Sequence, residues 1–139
     1  MRDWSRLLDS VAKLSYEQLV EKGRATTDKV LAAIEKYSDS DAAPIILVGL
    51  AAYTALVDEE LSHKETKLIE DIIGINQKDF AGFIRQEKAD QSIISELRDI
   101  AICMNDEEMS ELATLLSLIF AVDGEISRKE LDFLKDLCN

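Results

Sequence analysis

Carboxylates recur in two short acidic turns, "VDEELSHKE" from Val57 to Glu65 and "VDGEISRKE" from Val122 to Glu130. The first holds Asp58, Glu60 and Glu65, the second Asp123, Glu125 and Glu130. Side-chain oxygens in such sets suit calcium, magnesium or manganese better than zinc, which favours nitrogen and sulfur. The second turn also matches the later half of a calcium loop: with Asp123 at loop position 5, Gly124 falls at 6, Ser127 at 9 and Glu130 at 12. The earlier half does not match. Loop positions 1 and 3 would be Ile119 and Ala121, or Thr54 and Leu56 in the first copy, none of them an Asp-type ligand, so an EF-hand is excluded.

A second use of the same residues needs no ion. Ser62 with Glu65, and Ser127 with Glu130, have the S-x-x-E spacing of a capping box, in which the serine takes an orphan helix N–H and the glutamate reaches back. Ile126 and Leu131 sit at the hydrophobic-staple positions, and Gly124 suits a left-handed cap on the preceding helix. Capping leaves Asp58, Glu60, Asp123 and Glu125 unexplained. An aspartate just after a helix meets the negative end of its dipole, which costs about 0.3 to 1 kcal/mol at an exposed site. Its presence in both copies points to a cation or a basic partner nearby.

Catalysis finds little support. There is no Ser/His/Asp order, no Cys/His pair and no phosphate-cradling glycine loop. His63, the sole histidine, reads as an exposed first-turn residue, since its repeat counterpart is Arg128. The expectation is a non-enzymatic protein.

The turns must be positioned by helices. Sliding the chain by 65 residues aligns 57–72 with 122–137 with seven of sixteen positions identical, and apolar residues match in kind, as in Leu68 with Phe133 and Ile72 with Leu137. Each unit is an apolar helix, an acidic turn and an amphipathic helix, and two such units would have to share a core. The 3/4 spacing of apolar residues predicts helices over 62–73, 77–87, 90–104, 106–122 and 127–138. The run Pro44 to Val57 predicts a buried helix, capped by Ser40 or Asp41; its fourteen residues are too few for a membrane span, which needs about 20. Before it, Trp4, Leu7, Leu8 and Val11 stripe a first helix and Val30, Leu31, Ile34 and Tyr37 a second. The reading is an all-α bundle of seven to eight helices: an N-terminal hairpin over 1–41 packed on a two-repeat domain over 42–139. The hairpin packs intramolecularly or serves self-association.

The doubled motif resembles the tellurite-resistance TerB-like family, whose pattern is A-x-x-DG-x-[IL]-S-x-x-E occurring twice. "FAVDGEISRKE", Phe120 to Glu130, fits closely; "ALVDEELSHKE", Ala55 to Glu65, departs at Glu59, where the pattern has glycine. The resemblance covers roughly residues 42 to 139. It implies a compact bundle with pseudo-twofold halves and an acidic metal-binding surface in a stress or metal-resistance setting, with Asp58, Glu65, Asp123 and Glu130 as the matching positions.

Bulk properties set the remaining bounds. The net charge is -12 over 139 residues, of which 1–41 carry -1 and the rest -11. Such a surface repels nucleic-acid backbones and favours cations or a basic protein. Cys103 and Cys138 follow no metal or CxxC spacing, and the N-terminal residues lack an apolar leader, so a cytoplasmic location is expected. Two functions remain: divalent-cation binding by the six acidic residues, or a metal-independent scaffold docking a basic partner.

Overall fold

A computed structural model describes residues 4–39, 41–55, 57, 62–87, 92–123 and 126–138, with the side chains of 55, 77, 86, 87 and 92–94 also outside the description. Within these residues the chain forms eight helices and no strand. They are α1 (Ser5–Ala12), α2 (Tyr16–Tyr37), α3 (Ala43–Ala55), α4 (His63–Ile73), α5 (Gln77–Glu87), α6 (Ser92–Cys103), α7 (Asp106–Ala121) and α8 (Arg128–Cys138). The all-α expectation holds, and α4 and α8 are both 11-residue helices displaced by the repeat distance.

Helix α7 is the axis of the molecule. Every residue from Leu112 to Ala121 is buried, so this helix has no solvent face and must be packed on all sides. Helices α1, α2, α3, α4 and α8 all contact it. Its two polar interior residues cause no deficit, because Thr114 donates to the Ser110 carbonyl and Ser117 to that of Ala113, four residues back. Asn105 fixes its start: the side chain accepts from Glu108 N–H at 2.8 Å and Glu108 Oε1 accepts from Asn105 N–H at 3.0 Å.

Helix α2 is far longer than the stripe at its C-terminal end suggests. It begins at a complete capping box between Ser15 and Gln18, an S-x-x-Q signal present in the sequence, and runs 22 residues. It packs most extensively on α7 and then on α4, whereas α1 lies chiefly on α7. The Trp4, Leu7 and Leu8 stripe packs against the core and Val11 is fully buried, which commits it to intramolecular contact. Before α3, the turn is closed by Asp39: its carbonyl accepts from Ala42 and Ala43, and its carboxylate from Asp41 N–H at 3.0 Å. Ser40, the other expected cap, lies outside the described residues.

Two features fix α4 on α2. Tyr16 donates its hydroxyl to Asp71 at 2.5 Å, and Arg24 donates from Nε to the Asp71 carbonyl at 3.0 Å. Beside them Gly23 lets the backbones close up: a Cβ there would lie 2.6 Å from Ile72 Cγ2 and 3.3 Å from Ile72 Cβ. The clash would fall on the branch of a β-branched residue, which cannot swing aside. Gly23→Ala is therefore expected to destabilise by about 1 to 2 kcal/mol, overpacking outweighing the better helix propensity of alanine. Urea unfolding should show this loss, and Ile72→Leu in the same chain should recover part of it.

Candidate functional site

The described residues of the two motifs meet. Ser62, the N-cap of α4, accepts the Glu65 N–H at 3.0 Å and donates its single hydroxyl proton to the carboxylate of Asp123, 2.9 Å from Oδ1 and 3.0 Å from Oδ2. Asp123 follows the end of α7, in the opposite unit. Its position after a helix C-terminus, unfavourable locally, is offset because it sits at the N-terminal, positive end of α4. The compensating dipole belongs to the other repeat, a pairing invisible in either motif alone.

Glu65 departs from its sequence role. At α8 the capping box closes in both directions: Glu130 N–H donates to Ser127 Oγ at 3.1 Å and Ser127 N–H to Glu130 Oε1 at 2.8 Å. At α4 only the serine half is seen among the described residues, and the Glu65 carboxyl turns instead toward Asp123 and Ser62. Both glutamates are buried, each 5 % exposed. Burial drives the Glu65 pKa up to about 8. A hydrogen bond shared with Asp123 and the negative charges of Asp123 and Glu130 add to the rise, while the Ser62 hydroxyl opposes it. Glu65 thus keeps a proton at neutral pH, which lets it donate to Asp123 where two carboxylates would repel.

Of the six acidic candidates, Glu65, Asp123 and Glu130 converge here, whereas Asp58, Glu60 and Glu125 lie outside the described residues, as do Glu59 and Gly124. His63 is exposed at the first position of α4. The donors present are oxygens, of the hard type that calcium, magnesium and manganese take. Among the described residues no three Asp, Glu, His or Cys side chains form a ready ion cage, so three described carboxylates alone do not complete a site. The same residues contain no helix long and apolar enough to cross a membrane. The residue missed as a site contributor is Ser62: its capping role was legible, its bond to Asp123 was not.

Comparison with protein-family models, with curated proteins and with solved structures finds no match.

The raised Glu65 pKa has a definite pH signature. Below its ordinary value of 4.5 the carboxyl is protonated whether the chain is folded or not; between 4.5 and about 8 only the folded state keeps the proton. Stability from this group is therefore full at low pH and is lost as pH rises through that window, by at most about 1.4 kcal/mol per unit. Glu65→Gln, which cannot ionise, should flatten that decline and be more stable than the parent chain at pH 8 to 9. Urea unfolding from pH 5 to 9 with chelator present checks it, and an unchanged slope in the variant would refute the assignment.

Proposed function

We propose that this chain is a non-enzymatic, TerB-like binding module whose paired acidic turns hold a divalent cation: calcium, magnesium or manganese. The carrying observation is the meeting of carboxylates from opposite repeats through Ser62 and Asp123, with buried Glu65 beside them holding a proton. Neither Glu65 nor Asp123 has a basic partner among the described residues, so positive charge there would relieve a real electrostatic deficit. Asp58, Glu60 and Glu125 are the residues that would complete the coordination. The doubled motif supports the TerB-like reading and with it a role in stress or metal resistance, in the cytoplasm.

A second reading is supported by the complete Ser127–Glu130 capping box, which accounts for Glu130 without an ion. In that case the turns are caps, and the acidic surface docks a basic protein without metal.

Calorimetric titration of chelator-stripped protein with each of the three cations separates the readings. The cation reading expects saturable binding tighter than about millimolar, lost in Asp58→Asn/Asp123→Asn. It also expects proton release below pH 8, because Glu65 must ionise to act as a ligand. Heat indistinguishable from that of the double variant rules the cation out. Salt-sensitive, metal-independent capture of a basic protein would then support the scaffold.

A further inference from the structure

Three pairs of helix ends, far apart in chain order, are joined by the same kind of bond. Tyr16 and Tyr37 are the first and last residues of α2. Tyr37 donates its hydroxyl to Glu108 Oε1, in the first turn of α7, at 2.6 Å. Asp123, one residue past the C-cap of α7, accepts from Ser62, the N-cap of α4. Asp71, in the last turn of α4, accepts from Tyr16. The end of each helix thus meets the start of the next. Helices α2, α7 and α4 close into a ring whose every corner is a hydroxyl giving its proton to a carboxylate, a charge-assisted bond.

The two tyrosine corners are built alike. Lys67 Nζ lies 5.1 Å from the centre of the Tyr16 ring and Lys36 Nζ 5.1 Å from that of Tyr37, while Lys36 also pairs with Glu108 at 3.4 Å. The Tyr37 bond, and after it the Asn105 backbone, hold the Glu108 pKa below its ordinary value; burial, and after it the Asp71 bond, raise that of Tyr16. Glu108 therefore stays ionised and the Tyr16 phenol protonated around neutral pH. Along the α2–α4 side, Gly23 seated on Ile72 and Arg24 bonded to the Asp71 carbonyl add further fixed contacts.

We propose that Tyr16 and Tyr37 are positioning residues for the acidic junction: they set the placement of α4 and α7 at which Ser62 meets Asp123, and what occupies the junction acts back on both tyrosine corners. The coupling stands whatever the junction binds; its use to tune a cation rests on the reading proposed above. Asp123 lies about 22 Å along α7 from Glu108, and Ser62 about 14 Å along α4 from Asp71. Contacts that far apart normally contribute independently. In a closed ring they do not, because opening one corner frees a helix end that another corner needs, and a second break then loses less than the first.

Thermodynamic cycles measured by urea unfolding of the full chain test this. Tyr16→Phe and Tyr37→Phe remove only a hydroxyl, and Asp123→Ala removes the acceptor while leaving the Ser62 cap on the Glu65 N–H, so all three should fold. Combining Asp123→Ala with either Phe variant should raise the unfolding constant at least about threefold less than the product of the single effects. As a control, Asp123→Ala combined with Asn76→Ala, which removes the Asn76 bond to the Asp79 N–H at the start of α5, outside the ring, should give the full product. Where calorimetry shows manganese binding, each Phe variant should weaken it at least about threefold, by reciprocity. A parent chain that binds no cation refutes the cation reading and leaves the cycles to decide the ring. The full product at either tyrosine, a control pair coupled as strongly as the ring pairs, or manganese affinity unchanged in a Phe variant would each overturn the proposal.

Discussion

A helix with apolar residues on every side has no face to give to water, and α7 is such a helix from Leu112 to Ala121. Everything else in the molecule can be understood as a way of enclosing it. Five helices pack around α7, drawn from both repeats and from the N-terminal segment. The repeat explains why two units suffice to begin the enclosure, since each brings one apolar helix and one amphipathic helix that cannot bury themselves alone. Helices α1 and α2 finish it, and for that reason the N-terminal segment is part of the core.

Enclosing α7 also decides where its end lies. Asp123 leaves the helix at the N-terminus of α4, so an aspartate that is badly placed with respect to its own helix is well placed with respect to another. Ser62 joins the two by taking an N–H from its own helix and giving its proton across the repeat. The arrangement breaks the symmetry of the motifs. Glu130 closes its own capping box, whereas Glu65 is diverted to Asp123 and, being buried, holds a proton. Two copies of one local sequence thus carry buried carboxyls with different tasks.

A protonated glutamate where the two repeats meet is a group with a vacancy for positive charge, which a proton fills at neutral pH and which a hard cation would fill in the reading proposed above. That physical equivalence is what joins the capping function of these residues to the binding function proposed for them.

Much of the fold was legible in the residues. The 3/4 spacing placed α4 to α8 to within about two residues, and Ser62 and Ser127 marked helix starts because capping is a local transaction among neighbours. The stripe Val30, Leu31, Ile34 and Tyr37 marks only the C-terminal part of α2, whose start Ser15 and Gln18 signal. Before α3, Asp39 closes the turn largely through its backbone carbonyl, which no side-chain pattern reveals. What sequence alone determined, then, is every interaction that closes within a turn or so of helix: periodicity, caps and the repeat. Only the tertiary structure decided that Ser62 bonds Asp123, that Glu65 abandons its box, and that Gly23 meets Ile72. Each of these depends on which helices enclose α7, and burial and through-space charge act between residues that the chain order leaves far apart.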